Sequence, residues 1–452
     1  MGQVLTLALI MLATVGAPPA PAATPPPIKH VFVIVLENKD YDATFGSSSK
    51  APYLAHTLTK QGELLTHYYG IGHESLDNYV AMVSGQAPNP QTQADCQIYT
   101  DFAPGTIGAD GQATGTGCVY PAPVKTVADQ LTAKGLSWGG YMEDMGNSTT
   151  EAQTCRHPAL NQRDGTQSAT AGDQYAARHN PFVYFHSIID SPACAANDVP
   201  LDRLGAAITA DALPNYVFIT PNLCHDGHDT PCVDGQPGGL VSADAFLQQW
   251  VPLIRSSRAY RDGGLLVIAF DESGTGADGC CVESAPNTPN AGGPTPGAGG
   301  GRVGAVLLSP YIKPGTVDDT PYNHYSLLRS VEDIFGLSPL GYAAKSRGFG
   351  TDVYNGPTCF DHPLPAGSGA LPRGTVLAGV SASGRTLTIR TAHSAALVAR
   401  VWLAHGSRRF LRRPAKACDT LIATVPTHAR SVTITATSGG RHERRTLRLA
   451  GR

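Results

Sequence analysis

Residues 30–46 read His30-Val31-Phe32-Val33-Ile34-Val35-Leu36, then Glu37-Asn38, then Lys39-Asp40-Tyr41-Asp42-Ala43-Thr44-Phe45-Gly46. A short apolar run rich in β-branched residues reads as a buried strand of a parallel sheet, and such sheets bind ligands beyond the carboxyl ends of their strands. Glu37 and Asn38 stand at that end. Alone, the pair would read as a polar loop and a helix cap, but the pattern recurs. Residues 215–220 form a second apolar run that leads into Pro221-Asn222-Leu223-Cys224-His225-Asp226-Gly227-His228-Asp229, and residues 265–270 a third that leads into Asp271-Glu272-Ser273. Ahead of both, His73-Glu74-Ser75-Leu76-Asp77-Asn78-Tyr79 opens an apolar stretch ending at Ser84-Gly85. Carboxylates, an amide and imidazoles gathered at one sheet edge would repel or go unsatisfied unless a cation held them. The economical reading is a metal-assisted site.

Around these runs the chain alternates strand and helix. Thr126 with Asp129 has capping-box character, and the helix it opens can stop at Gly135. A strand is predicted over 137–141, a helix with Pro252 inside it over 242–256, a buried strand over 303–308 and a closing helix over 324–337. This rhythm over residues 28–350 predicts an α/β fold with a mainly parallel central sheet flanked by helices. Residues 274–302 form a Gly- and Pro-rich loop too long for a simple connector. A second such stretch, 356–374, reads as a linker to a small β-rich, sandwich-like appendage over 375–452, with strands at 375–380, 386–389, 398–403 and 432–437.

A chain of 452 residues, 42% hydrophobic and 15% charged, has the composition of a large core plus a smaller domain. Residues 4–16 are apolar but shorter than the roughly 20 residues a membrane span needs, and Ala20-Pro21-Ala22 offers a cleavage site. Residues 1–23 therefore read as a secretory signal peptide, residues 24–355 as the catalytic domain, and the protein as exported. Ten cysteines fit an exported chain with disulfides. Cys280 and Cys281, being adjacent, are not expected to bond to each other, because the usual Cα separation in a disulfide exceeds that of chain neighbours. Paired CxxC spacings are lacking, which argues against a thiolate-bound metal. Residues 371–452 hold fifteen of the 33 Lys and Arg but two of the 36 acids, a net of +13 that leaves −16 for what precedes. A basic module on an acidic enzyme suggests attachment to anionic lipid or cell-wall polymer, against the plainer reading of a solvated Arg-rich surface. With no recognisable nucleic-acid motif, nucleic acid is not an expected partner.

Taken together, Glu37-Asn38 with Phe45-Gly46, the cluster of His73, Ser75, Asn78 and Tyr79, the Pro221–Asp229 run, the Asp271-Glu272 pair and His324-Tyr325-Ser326 resemble one phosphoesterase family. It includes secreted bacterial acid phosphatases and bacterial phospholipases C, within the alkaline-phosphatase-like superfamily. The resemblance covers roughly residues 28–350, with the motifs in order.

It implies an alkaline-phosphatase-like fold, a divalent cation held by Glu37, Asn38, Asp271 and Glu272, and Ser75 as nucleophile. The chemistry agrees, since a serine hydroxyl is a poor nucleophile unless a metal or base stabilises its alkoxide. A serine at that place is also a natural helix cap. Asn78 falls where its amide can donate to a phosphate oxygen, and His73 where it would bind phosphate or orient the loop. Asp226, His228 and His324 match positions near the phosphate or leaving group, where they bind phosphate or form a second cation site, and His228 is the first choice for protonating the leaving oxygen. His179, within Arg178-His179-Asn180-Pro181-Phe182, also fits a family position. Asp77 stands where relatives usually carry proline. The implied function is an exported phosphomonoesterase of acid-phosphatase type working through a phosphoserine. The alternatives are a phospholipase C acting on lipid diesters and a non-catalytic surface-binding protein.

Overall fold

The computed structural model describes residues 25–281 and 285–355 and, within 377–449, all but the short connections 384–385, 392–394, 404–405, 416–419 and 439–440. The expected signal peptide and linker, together with Cys359 and Cys418, lie outside the described residues.

Eight strands form the central sheet: β1 (His30–Leu36), β2 (Glu63–Leu65), β3 (Trp138–Met142), β4 (Asp198–Pro200), β5 (Tyr216–Thr220), β6 (Gly264–Phe270), β7 (Ala305–Leu308) and β8 (Thr316–Asp318). Their spatial order is β8-β2-β7-β6-β1-β5-β3-β4. Neighbours are parallel except at β7, which runs antiparallel to both β6 and β2. The expected α/β fold with a mainly parallel sheet is therefore present. Val31 to Leu36 are fully buried; a strand covered on both faces needs an unbroken apolar run, which is why this one was readable.

Strand β1 lies between β5 and β6, with Val31 opposite Tyr216 on one side and Leu265 on the other. The ladder continues past the strand ends. Glu37 N–H donates to Asp226 O at 2.8 Å, and Asp271 N–H to Leu36 O at 2.8 Å. Three carboxylates from distant parts of the chain thus meet at one edge of the sheet.

Helix α1 (Ser75–Ser84) is buried at all ten positions and stops at Gly85, whose φ of 68° gives the left-handed cap a side chain would resist. Helix α2 (Val127–Ala133) opens with the expected Thr126–Asp129 capping box. Helix α3 (Gly239–Ser256) continues through Pro252, and α4 (His324–Phe335) is capped by Asn323.

Four disulfides join Cys96–Cys118, Cys155–Cys194, Cys224–Cys232 and Cys280–Cys281. The last corrects the expectation for adjacent cysteines. Their Cα atoms are 3.8 Å apart, and the usual wider range describes cysteines from separate segments. Neighbours can bond when the turn between them brings both side chains to one side, here with Cys281 at φ 76°.

The C-terminal region is two antiparallel sheets. Strands β9 (Leu377–Ser383), β10 (Thr386–Thr391) and β13 (Thr420–Thr424) form one. Strands β11 (Ala395–Leu403), β12 (Gly406–Ala415), β14 (Ser431–Ser438) and β15 (Arg441–Arg448) form the other, in the order β12-β11-β14-β15. Leu377, Leu387, Ile389 and Leu421 of the first share one core with Leu397, Val401, Val432 and Ile434 of the second, so the two sheets pack together as a sandwich. Strands β12, β13 and β15 were not expected. β12 and β15 carry eight Arg and are the two edges of their sheet; charge on an edge discourages pairing with another chain, and it also hides the strand's alternation.

Candidate active site

Glu37, at the end of β1, is fully buried. Its Oε1 accepts from Tyr79 OH at 2.5 Å and its Oε2 from Ser75 Oγ at 2.6 Å. Asn38 follows with φ 55°, a left-handed position asparagine tolerates better than most residues. That turn aims the Asn38 N–H at Asp271 Oδ1, 3.0 Å away, while Asn38 Nδ2 lies 3.3 Å from Glu37 Oε2. Asp271, at the end of β6, is buried, and its Oδ2 has no partner among the described residues. Glu272 is buried beside it, with Oε2 facing His73 Nδ1. Asp226 from the β5 loop is buried too; Oδ1 accepts from His228 N–H at 2.8 Å and Oδ2 has no hydrogen bond. Gly227 lets this loop come close, since at φ 113° an added Cβ would sit 3.2 Å from Glu37 O. The Cys224–Cys232 disulfide closes the same loop.

Ser75 is the first residue of α1, and Glu74 holds the cap position without a side-chain hydrogen bond. The Ser75 hydroxyl therefore serves Glu37 rather than the helix. The open N–H of Leu76 goes to Asp95 Oδ1 at 3.0 Å, and Asp95 Oδ2 is ion-paired with Arg178 at 3.4 Å. Asn78 is occupied by the loop before Ser75. Its Oδ1 accepts from Ile71 N–H at 2.6 Å and Gly72 N–H at 3.3 Å, while Nδ2 donates to Gly72 O at 2.9 Å and Glu74 O at 3.1 Å. Its place is a clamp on that turn. Asp77 is buried with neither carboxylate oxygen hydrogen-bonded, and burial pushes it well above the usual carboxylate range.

The histidines divide by surroundings. His179 is buried and stacked on Tyr79, with Nε2 3.4 Å from Glu37 Oε2 and Nδ1 3.8 Å from Asp226 Oδ2. His324 is buried between Tyr68 OH, 3.1 Å from Nδ1, and the Asp271 carbonyl, 2.5 Å from Nε2. A carbonyl only accepts, so Nε2 carries the proton; burial lowers this imidazole to about 4 and keeps it neutral. His324 thus steadies the Asp271 turn from behind. His73 is tied to Gly276 O at 2.7 Å and to Glu272. His228 alone of the four is exposed, at the rim; the packing around its ring, with Lys39 and Arg178 adding to it, lowers this imidazole below its ordinary value. Lys39, half-buried, donates to Asn38 O at 3.1 Å. Sequence reasoning did not name Lys39, Asp95, Arg178 or Tyr68 as site residues; Lys39 and Arg178 each adjoin a residue it did name.

Burial, then neighbouring carboxylates, holds Glu37, Asp226, Asp271 and Glu272 well above the usual carboxylate range. Lys39 and Arg178 are the cations nearby, and neither hydrogen-bonds to these four acids. Buried like charges with bare oxygens fit a divalent cation, which would relieve the repulsion and take the unpaired lone pairs. Two groupings of sulfur with an acid, Cys155 and Cys194 with Asp198 and Cys224 and Cys232 with Asp234, are disulfides and offer no thiolate.

A probable acid phosphatase of Kluyveromyces lactis is 28% identical, with the match covering 69% of this chain and 59% of that protein. The phosphate-repressible acid phosphatase of Penicillium chrysogenum is 29% identical over 68% of this chain and 59% of its own length. The phosphatidylinositol-3-phosphatase of Mycobacterium tuberculosis is 25% identical over 75% of this chain and 89% of its own. The chain thus spans under two-thirds of the fungal relatives' length. A solved protein in the alkaline phosphatase superfamily from Vibrio parahaemolyticus aligns over 95% of this chain and 84% of its own, with 12% identity and a TM-score of 0.41. The pattern of the Phosphoesterase family matches residues 48–338, and the chain belongs to that family.

Proposed function

We propose that the protein is an exported, cation-dependent phosphatase that cleaves phosphomonoesters through a phosphoserine at Ser75. The observation that carries this reading is the Ser75 hydroxyl at the start of a buried ten-residue helix, 2.6 Å from Glu37 Oε2 and among unpaired carboxylates. A helix N-terminus favours an anion, so a phosphoryl group beside Ser75 would meet the positive end of the α1 dipole. Glu37, Asn38, Asp271 and Glu272 would hold the cation, which supplies charge to stabilise a serine alkoxide. Their hard oxygens favour magnesium, calcium or manganese.

In the first step Ser75 Oγ bonds to phosphorus as the bond from phosphorus to the alcohol oxygen breaks, and the hydroxyl proton leaves along its hydrogen bond to Glu37 Oε2. His228, at the rim, gives a proton to the departing oxygen. In the second step water adds to phosphorus and gives a proton to His228, the bond to Ser75 Oγ breaks, and inorganic phosphate leaves as Ser75 regains its proton from Glu37. His179 faces Glu37 and Asp226, Asn78 and His324 hold the turns that carry Ser75 and Asp271, and His73 braces Glu272.

The matched relatives are named as phosphatases, which favours monoesters over the diesters of a phospholipase C. Export is supported by four disulfides, which persist in oxidising compartments. No helix among the described residues is long and apolar enough to cross a membrane. The test is hydrolysis of a phosphomonoester, a phosphodiester and phosphatidylcholine by the purified protein, with and without chelator. Chelator-sensitive release of phosphate from the monoester is expected; cleavage of phosphatidylcholine alone would make the enzyme a phospholipase.

A further inference from the structure

The four-stranded sheet of the C-terminal sandwich has one face in the core and one in solvent. Leu397, Ala399 and Val401 of β11 are buried, so the residues alternating with them, Val398, Arg400 and Trp402, face outward. Residues directly opposite in a ladder share a face, which fixes the rest. Arg412 of β12 and Arg444 of β15 end one cross-strand row. Arg409 stands opposite Arg400 in the next, and Trp402 and Arg448 belong to the third. Arg409 and Arg412 share this face because Phe410 is an extra residue in the pairing of β12 with β11, and such a bulge shifts the alternation. All five arginines are exposed.

Edge protection accounts for charge on β12 and β15. It does not account for Arg400 and Trp402, which stand on a central strand. Trp402 is 40% exposed, the one large apolar side chain so exposed among the described residues of this region. It is also fixed: Nε1 donates to Thr433 Oγ1 at 3.2 Å, and that hydroxyl is 3.0 Å from Thr446 Oγ1. An indole held to the middle of a hydroxyl-bearing sheet, with guanidinium groups on both sides, offers a stacking platform, polar contacts and anion grips on one flat field of roughly 14 Å by 14 Å, from ordinary strand spacings. Insertion into a bilayer would need a larger apolar surface than one tethered Trp. The net of +13 on residues 371–452 sets the sign of the partner.

We propose that this face binds an extended anionic polysaccharide, with Trp402 against a sugar ring and Arg400, Arg409, Arg412, Arg444 and Arg448 gripping its carboxylate, sulfate or phosphate groups. The test is a binding assay on the full chain with immobilised heparin, immobilised polygalacturonate and phosphatidylglycerol vesicles, at low and physiological salt. Retention on a polysaccharide that weakens with salt is expected. Trp402→Ala should reduce it about tenfold or more, as loss of a central aromatic anchor does. Trp402→Tyr, which keeps a ring, should restore most of it. Arg400→Ala with Arg444→Ala should also cost about tenfold, whereas Arg408→Ala with Arg445→Ala, the same charge taken from the other side of the edge strands, should cost under about threefold as rim charges do. Circular dichroism checks that each variant is folded. Equal losses from the two double variants, full binding by Trp402→Ala in a folded protein, retention on neither polysaccharide, or binding to vesicles alone would overturn the proposal. None of these readouts depends on phosphatase activity.

Discussion

Ser75 Oγ donates to Glu37 Oε2 at 2.6 Å, joining the start of helix α1 to the end of strand β1. One carboxylate oxygen thereby orients the proposed nucleophile while its twin accepts from Tyr79 OH, so Glu37 is held from both sides of a fully buried position.

Tyr79→Phe should therefore weaken divalent-cation affinity and turnover together, by the roughly 10- to 100-fold that loss of a partner to a metal ligand costs. The phenyl ring still stacks on His179, so the fold should survive. Metal titration and steady-state kinetics on the variant check this; unchanged affinity would remove Tyr79 from the site's support.

Asp271→Asn should lower metal content and activity by at least the roughly 100-fold seen for outer partners, while raising the melting temperature of the chelated protein. The two effects share a cause. Without a cation, Asp271 sits buried against Glu37 and Glu272, and removing one like charge relieves them. A chelated variant less stable than chelated wild type would contradict the crowding argument.

His228→Gln should slow hydrolysis of an alkyl phosphate much more than that of p-nitrophenyl phosphate, whose leaving oxygen needs little protonation. General acid catalysis is worth about 10²- to 10⁴-fold where it is needed. Equal losses on both substrates would assign His228 to binding.

Stability should fall as pH rises from about 4.3, the ordinary glutamate value, toward 8. Burial raises Glu332 to about 8, and Asp198 and Glu63 to about 7. A carboxyl whose folded value lies above its unfolded value is protonated preferentially in the folded state. Its contribution is complete below the unfolded value and is lost as pH climbs to the folded one, at about 1.4 kcal/mol per unit of separation. Glu332→Gln keeps an acceptor for Leu340 N–H, now 2.8 Å from Oε1, and should flatten part of the slope. Melting temperatures across that range, for both proteins, give the answer; parallel slopes would contradict it.

Much of this was readable in the sequence because its signals are local. β1, β5 and β6 are unbroken apolar runs, and the polar residues after them fall at the strand ends. The short strands β2 and β4 escaped notice, since three residues cannot display a period. The Arg-rich edges β12 and β15 lacked the expected apolar alternation. The resemblance put Asn78 beside a phosphate oxygen and His324 near the phosphate, the leaving group or a second cation. Their hydrogen bonds to Gly72, Glu74 and Asp271 are contacts of the fold that no spacing rule expresses. Asp95 meets Leu76 from 19 residues away, and Tyr68 meets His324 across 256. Such partners become visible only once the chain is folded.

The central claim is the phosphoserine. The protein is mixed with a phosphomonoester at saturating concentration, quenched in acid, digested and read by mass spectrometry, with Ser75→Ala alongside. A single phosphate on the peptide carrying Ser75 is expected, lost in the variant together with on the order of 10³-fold or more of the turnover. A folded Ser75→Ala protein that turns over near the wild-type rate, or a label on another residue of the active enzyme, would contradict it.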